Sequence, residues 1–254
     1  MRIEKDEFGI EYAYIPAPRG SRYRLLEDSS VGDVRPFYMA ITPLTGNQYL
    51  KILKKLGVDQ SHQFEGFIEG EPWIEGNKPI TYVAYDHLYD VYTQRRQAGQ
   101  RSSQLQQKPK DEEYQSGFLS SIRGKGNHQY RLPTEYEWEW AALGGEFFTG
   151  PIPDLFDWQV PVIAGCTNID KVAWHRGNSG GQLHEVNQKK PNGYGLYDMN
   201  GNVWEWTRTR AGADRVIRGG SWDITAQYTR VANRLDVGPS LRNDNLGFRL
   251  CFSA

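Results

Sequence analysis

The chain has 254 residues, a formal net charge of −1 and two cysteines, Cys166 and Cys251. The length suits one large domain with a buried core, while the balanced charge excludes a general attraction to nucleic acid or anionic membranes. The cysteine count argues against a disulfide framework, and without an apolar leader or spanning segment we expect a soluble protein with no signal peptide and no direct membrane insertion.

Two helices are predicted in the first hundred residues. The first begins at Thr45, which has capping-box spacing to Gln48, and it ends before Gly57. Its apolar face comprises Tyr49, Ile52, Leu53 and Leu56. The second has its apolar residues at the same helical spacing, namely Tyr85, Leu88, Tyr89 and Tyr92. Both faces are expected to pack into the core rather than to form binding sites.

Residues 93–125 are rich in Gln, Lys, Arg and Ser and contain few apolar residues. We interpret 93–125 as a polar surface insertion. A third helix is predicted after it in RLPTEYEWEWAALGG, with Thr134 as the N-cap, Glu137 as its capping-box partner and the glycines at 144 and 145 as the end.

The strand patterns are short and scattered: EYAYIPA, FYMAI, GLYDM, RVIRGG and GFRLCF. With 8 Trp, 15 Tyr and 27 Gly, this pattern favours an irregular fold stabilised by large rings. We therefore predict a single α+β domain spanning 1–254, with a small twisted antiparallel sheet, two main helices and extensive ordered loops.

The segment 215–250 alternates between two kinds of residue. One is an orderly set, here called the frame residues: Arg218, Gly219, Gly220, Ser221, Trp222, Arg230, Ala232, Asn233, Arg234, Pro239, Ser240, Arg242, Gly247, Phe248 and Arg249. The other set changes from aliphatic to acidic to glycine between neighbours, and is here called the variable positions: Ile217, Asp223, Ile224, Thr225, Tyr228, Leu235, Asp236, Val237, Gly238, Leu241, Asn243, Asp244, Asn245 and Leu246. A packed core tolerates such changes poorly, whereas an exposed loop tolerates them easily. The variable positions are therefore predicted to form an exposed binding surface.

This segment, together with NGYGLYDMNGNVWEW from Asn192, resembles the C-type-lectin-fold variable proteins of diversity-generating retroelements, which use the scaffold of the formylglycine-generating enzyme family. GLYDMNGNVWEW followed by RGGSW and GFR is a specific combination, and further motifs from EYAYIPA to LGFRLCF occur in the family's order. The resemblance implies a C-type lectin-like fold. In such retroelements, asparagine codons mutate to almost any residue except Lys, Glu, Gln, Met or Trp, and none of these five types stands at a variable position.

The resemblance also allows oxidase activity to be assessed. The family's copper-dependent oxidases use a cysteine pair just after the GGS-aromatic motif, and the aligned positions here are Ile224 and Thr229. Neither can supply a thiolate, so we expect no catalytic residue and no required cofactor. The alternative is a degenerate formylglycine-generating-enzyme-like domain with a fixed partner, or one with an unrecognised oxidase activity.

A serine hydrolase motif is suggested by Gly177, Ser179 and Gly181, which match GxSxG, with His175 and His184 nearby. A nucleophilic serine of this type stands on a turn between a strand and a helix. No helical pattern follows Ser179, so we favour a glycine-rich structural loop.

A cation site is implied by the resemblance in LYDMNGNVWEW. Carried over residue by residue, its ligands would be the carboxylates of Asp198 and Glu205 and the carbonyls of Gly201 and Val203. Oxygen ligands in an irregular loop suit Ca²⁺ or, with more water, Mg²⁺. The alternative is that the two carboxylates only hydrogen-bond the loop.

Eight arginines between Arg208 and Arg249 raise the question of nucleic-acid binding. Acidic residues dilute their charge, and the regular spacing of the frame arginines favours internal hydrogen bonds to loop carbonyls. We therefore expect no nucleic-acid partner.

These observations predict a binding protein rather than an enzyme, with Tyr228 as the best single anchor because tyrosine is enriched in binding hot spots. The resemblance implies that a retroelement diversifies the surface and that the partner is a protein on a target cell or virus. The sequence does not specify whether the chain is associated with a virion, is displayed on a cell surface through a partner, or stays in the cytoplasm. Nothing in the sequence specifies an oligomeric state.

Overall fold

The computed structural model describes residues 2–26, 30–57, 76–89, 117–123, 128–144 and 168–254. The helices in these ranges are α1 Gly46–Leu56, α2 Tyr85–Tyr89, α3 Phe118–Arg123 and α4 Glu135–Ala142. The first strands are β1 Ile3–Lys5, β2 Glu11–Ile15, β3 Arg22–Arg24, β4 Val31–Asp33 and β5 Phe37–Ala40. The later strands are β6 Ala173–Trp174, β7 Asn200–Gly201, β8 Trp204–Ala211, β9 Asp214–Arg218, β10 Arg234–Val237, β11 Leu246–Gly247 and β12 Cys251–Ser253.

Most strands belong to two four-stranded sheets. The first has the order β1-β2-β5-β12 and is antiparallel throughout. The second has the order β10-β9-β8-β11, in which β11 runs parallel to β8 and the other pairs are antiparallel. The predicted small sheet is thus divided in two, and the GFRLCF pattern contributes β11 to one sheet and β12 to the other. In the described residues, β3 and β4, and likewise β6 and β7, form smaller pairs.

The two longest of the described helices begin as predicted. The Thr45 hydroxyl accepts a hydrogen bond from the Gln48 amide, and the Gln48 side chain accepts one from the Thr45 amide, so both donors at the start of α1 are satisfied. Thr134 and Glu137 form the same capping box at the start of α4. At its other end, Asn192 donates to the carbonyls of α4 residues 141 and 142.

The second helix is confirmed over α2, where Tyr85, Leu88 and Tyr89 are buried. Tyr92 lies outside the described residues. The interpretation of 93–125 as a surface insertion is wrong for 118–123, because α3 places three apolar side chains in the core, namely Phe118, Leu119 and Ile122. Phe118 contacts the rings of both Tyr49 and Phe248. Residues 93–116 and 124–125 lie outside the described residues.

The strand predicted for GLYDM does not form. Residues 195–199 are irregular and lead into β7. Asp198 has a φ of 56°, which lies in the left-handed region and is incompatible with an extended strand. The other four strand patterns all contribute to strands, and the predicted α+β class is confirmed by this architecture.

Within the described residues, the core consists mainly of two large apolar clusters. One contains α1, α2 and α3 residues with Trp206 and Phe248, and the other contains Trp138 of α4 with Met39 and Cys251. Burial raises the pKa of the Cys251 thiol to about 12, which suits the structural role of a buried cysteine. In the part of the chain described here, no helix combines the length and apolarity needed to cross a bilayer.

Candidate functional site

The end of β9 is held to α4 by a buried ion-pair network. Arg218 is fully buried and contacts the carboxylates of Glu135, at 3.2 Å, and Glu139. It also donates to the Val231 carbonyl at 2.9 Å. Glu135 accepts a second bond from Arg234 at 2.8 Å. Because Arg218 and Arg234 flank residues 219–233, α4 fixes both ends of that excursion.

A second buried ion pair fixes the C-terminal end of the segment 215–250. Arg249 donates to both carboxylate oxygens of Glu205, with a shortest distance of 2.7 Å. The Trp138 indole also donates to Glu205, at 2.8 Å. The remaining Arg249 donors bond the carbonyls of Ala40 and Tyr197, each at 2.9 Å. The internal role predicted for the frame arginines is supported at Arg218 and Arg249, which present no charge to solvent.

A glycine is required at position 220 because the main chain of Tyr228 lies very close to it. It has a φ of 75°, and a Cβ added there would lie 2.7 Å from the main-chain oxygen of Tyr228. Next to this contact, Thr229 is fully buried, and its hydroxyl donates to the Ala226 carbonyl at 2.8 Å. The main chain around Tyr228 is therefore packed directly against the RGGSW turn.

The GxSxG segment is hydrogen-bonded to the main chain of residues 222–224. The Ser179 hydroxyl is buried and donates to the Trp222 carbonyl at 2.9 Å. Arg176 bonds the next carbonyls along the chain, at Asp223 and Ile224. His175 contacts Asp170, whereas His184 donates to the main-chain oxygen of Ser179. These bonds favour the structural interpretation of GxSxG over a hydrolase nucleophile.

Most variable positions lie at the surface on this fixed main chain. Seven are exposed: Thr225, Tyr228, Leu235, Asp236, Gly238, Leu241 and Asn243. Five are half-buried: Asp223, Ile224, Val237, Asp244 and Asn245. The large apolar side chains are well exposed, at 52% for Tyr228, 47% for Leu235 and 39% for Leu241. The frame residues are mostly buried or half-buried, although Ser240 and Arg242 are exposed.

The predicted exposure is wrong for Ile217 and Leu246. Both are buried in the first apolar cluster, at 3% and 1% exposed. Ile217 lies on β9, between two neighbouring strands of its sheet, and Leu246 lies on β11, paired with Trp204 of β8. Leu235 is opposite Ile217 on β10, which is one of the two edge strands of this sheet, and it is exposed. Because β11 is also an edge strand and Leu246 is nevertheless buried, packing against the first apolar cluster decides which of these aliphatic residues is available to a ligand.

Two polar variable positions bond each other. The Asn245 amide donates to both carboxylate oxygens of Asp223, at 3.0 and 3.1 Å, and the Ser221 hydroxyl donates to one of them at 2.6 Å. This contact joins residues 221–225 to residues 243–245. Asp223 and Asn245 therefore shape the surface as well as contributing to it.

The two carboxylates predicted to bind a cation, Asp198 and Glu205, differ in their hydrogen-bond partners. Asp198 is buried, and burial raises its pKa to about 6. Its Oδ2 accepts a bond from the Asn187 amide, whereas its Oδ1 has no hydrogen-bond partner in the described residues. Both Glu205 oxygens are engaged by Arg249 and Trp138, as described above. Asp198 fits a cation ligand, but the carboxylate of Glu205 does not, because Arg249 already neutralises it. In the described ranges no cluster of three His, Cys, Asp or Glu residues that could hold a metal occurs.

The structure adds one segment that the sequence analysis missed. Residues 80–87 run beside the loop 238–246, and the Tyr82 amide donates to the Asn243 carbonyl at 2.9 Å. Tyr82 is 37% exposed. In the sequence, the available signal was that Tyr82 falls outside the apolar face formed by Tyr85, Leu88 and Tyr89.

Comparison with known proteins identifies similar chains, some named formylglycine-generating enzyme and others named as inactive forms of it. The mouse protein named inactive C-alpha-formylglycine-generating enzyme 2 is 41% identical over 153 residues, which cover 55% of this chain and 46% of the mouse protein. The bovine protein of the same name is 39% identical over 138 residues, 49% of this chain and 44% of the bovine protein. The chain spans about half the length of these curated relatives.

A solved structure shares the fold over nearly the whole chain. Treponema denticola variable protein 1 superposes with a TM-score of 0.62 at 24% identity, covering 96% of this chain and 95% of that one. At this identity the likeness shows the fold alone. The family model described as the sulfatase-modifying factor enzyme 1-like domain matches residues 17–254. With the resemblance in the motifs and the α+β architecture, this match shows that the chain belongs to the sulfatase-modifying factor enzyme 1-like family.

Proposed function

We propose that this chain is a ligand-binding protein whose C-terminal surface is diversified by a retroelement to recognise varied protein ligands on a target cell or virus. The observation that carries the proposal is the contrast within 215–250. Seven variable positions are exposed, while Arg218, Gly220 and Arg249 hold the main chain beneath them from buried sites. The shared fold with a protein named a variable protein is compatible with this role.

The surface chemistry suits recognition of a folded protein. Tyr228, Leu235 and Leu241 offer apolar contact area, and Asp236 and Asn243 add polar selectivity around it. Protein interfaces combine an apolar centre containing aromatic anchors with a polar rim. Substitutions at exposed sites usually change stability by less than about 0.5 kcal/mol, so these positions can be exchanged without unfolding the domain.

Within this proposal the chain is not an oxidase. The two positions that align with the family's active-site cysteines are Ile224 and Thr229, and the Thr229 hydroxyl is buried in a bond to a main-chain carbonyl. Neither side chain binds copper as a thiolate would. The binding role therefore needs no redox cofactor.

A structural cation is a separate part of the proposal. Asp198 would supply its unpartnered Oδ1, and the main-chain oxygens of Gly201 and Val203 would complete the protein ligands, with Glu205 remaining paired to Arg249. Hard oxygen ligands of this kind favour Ca²⁺, with Mg²⁺ as the alternative. Such an ion would stabilise the loop rather than take part in chemistry.

The proposed partner is a protein and not a nucleic acid. Arg218 and Arg249 are fully buried in ion pairs, and they add no positive charge to the surface. Phosphate recognition requires accessible cations. We propose that the chain meets its ligand on a virion or through a partner that displays it.

The main test is deep sequencing of the 3′ end of the gene in a population of its source, with several kilobases downstream. We expect substitutions concentrated at the exposed variable codons, an adenine-bearing near-repeat and a reverse transcriptase gene. A uniform 3′ end with no repeat would overturn the diversified role.

The alternative with an unrecognised oxidase activity is tested by oxygen consumption in the presence of copper or iron and a cysteine-containing peptide. We expect no uptake above that of heat-denatured protein. Metal-dependent uptake that disappears on substitution of Thr229 by valine would favour the enzyme instead.

A further inference from the structure

A segment outside 215–250 is joined to the loop 238–246 at several points. Residues 80–87 lie outside 215–250, yet they bond the loop 238–246 along its length. The bonds are Tyr82 N to Asn243 O at 2.9 Å, Asp86 N to Pro239 O at 3.1 Å, and Arg242 Nη2 to His87 Nε2 at 2.6 Å. The candidate binding surface therefore extends beyond the segment that the sequence analysis delimited.

Tyr82 has an unusual conformation within this segment. Its φ is 57°, a left-handed value that is rare for a bulky residue. Thr81 and Val83 on either side are buried, at 1% and 0% exposed, while Tyr82 is 37% exposed. Backbone conformations of this kind persist when the surroundings over-determine them, and they cluster at functional sites. Here the conformation presents an aromatic side chain at the border of the variable loop.

We propose that Tyr82 is a constant anchor of the ligand-binding surface, contacting an apolar patch on the protein ligand whatever residues occupy the variable positions. The inference rests on the proposed binding function. Tyrosine buries a large area while only two torsions are ordered, so it supplies affinity at little entropic cost. Leu241 lies on the adjoining loop 238–246 and is also exposed, at 39%.

An anchoring role is separated from a structural role by measuring the stability of Tyr82 variants, and the bond that Tyr82 donates to Asn243 comes from its main-chain amide. Substitution of the side chain leaves that hydrogen bond available. Asparagine adopts left-handed φ values more readily than tyrosine, and glycine adopts them without strain. Tyr82→Asn and Tyr82→Gly should therefore keep the loop folded while removing the ring.

The test uses the full chain on a display system with the seven exposed variable positions randomised, and lysozyme as the probe protein. Independent binders are then remade with Tyr82→Asn, Tyr82→Gly or Tyr82→Phe. The matched control is Ile3→Asn, because Ile3 is similarly exposed, at 42%, on β1 of the other sheet. The dissociation constant and Tm are measured for each variant.

In most binders we expect Tyr82→Asn and Tyr82→Gly to weaken binding by about tenfold or more, as for a buried aromatic hot spot. Tyr82→Phe should weaken it by less than about threefold, and Ile3→Asn by less than about twofold, because the first keeps the ring and the second lies elsewhere. Tm should stay within about 4 °C of the parent binder.

Two results would overturn the anchor without touching the proposed function. One is a dissociation constant unchanged by Tyr82→Asn in most binders. The other is a loss of binding accompanied in both the Asn and Gly variants by a Tm lowered beyond that range, which would indicate a structural role. If randomisation yields no binder at all, the proposed function itself fails and the anchor fails with it.

Discussion

The frame residues and the exposed variable positions alternate along one segment, but they meet opposite physical demands. Arg218 and Arg249 are fully buried charges whose partners lie on α4 and β8. Tyr228 and Leu235 are apolar side chains that remain about half exposed. In a typical domain the apolar residues would be inside and the charges outside. The inversion teaches that buried polar bonds, together with the packing of Ile217, Leu246 and Phe248, hold the path of this main chain, so we expect the exposed side chains between them to be replaceable.

The largest expected effect comes from breaking the buried network. Among the described residues, Arg218→Leu leaves Glu135 with Arg234 as its one cation and leaves Glu139 without its ion pair. We therefore expect a loss of about 3–5 kcal/mol in unfolding free energy. Arg242→Leu, at an exposed frame position, should cost less than about 1 kcal/mol. Urea denaturation of the two variants measures the difference; similar losses would contradict the division between buried and exposed frame arginines.

A comparison of two leucines tests the corrected boundary of the variable surface. Leu246→Ala removes a side chain from the core and should cost about 3 kcal/mol, within the usual range for a buried leucine. Leu235→Ala, on the edge strand β10, should change stability by less than about 0.5 kcal/mol. Thermal and urea unfolding provide the measurement. Equal tolerance at both positions would mean that Leu246 belongs to the exchangeable surface after all.

A pair of glycines tests the close approach at the RGGSW turn. Gly220→Ala places a methyl group against the Tyr228 carbonyl at a left-handed φ, and we expect it to cost about 2 kcal/mol. Gly238→Ala is the control, since the added carbon meets no atom within 4 Å. Its effect on the urea midpoint should be negligible. A neutral Gly220→Ala would show that the turn relaxes freely.

The smallest predicted change in stability concerns cation binding at Asp198. If a cation binds Asp198, adding calcium at ten times its dissociation constant to protein freed of metal by a chelator should stabilise the protein by about 1.4 kcal/mol. Asp198→Asn removes the charged ligand and should abolish this increase. Calorimetric titration provides an independent readout. The absence of calcium binding at millimolar concentration would leave Asp198 as a buried hydrogen-bond acceptor only.

Local sequence determined the features that depend on neighbouring residues. Both capping boxes were predictable because Thr45 and Thr134 act on the third residue of their own helices. The family motifs and the irregular chemistry of 215–250 likewise indicated the fold and the location of an exposed surface. Family membership is confirmed by the match over residues 17–254.

Tertiary structure alone decided the rest, because burial depends on partners distant in the chain. Ile217 and Leu235 are similar aliphatic residues opposite each other in one sheet, yet Ile217 packs in the first apolar cluster while Leu235 is exposed. Phe118 joins the core because Tyr49 and Phe248 contact it there, despite its polar surroundings in sequence. Tyr82 borders the loop 238–246 because its amide bonds the Asn243 carbonyl, and no local sequence pattern indicates a contact between residues so far apart in the chain.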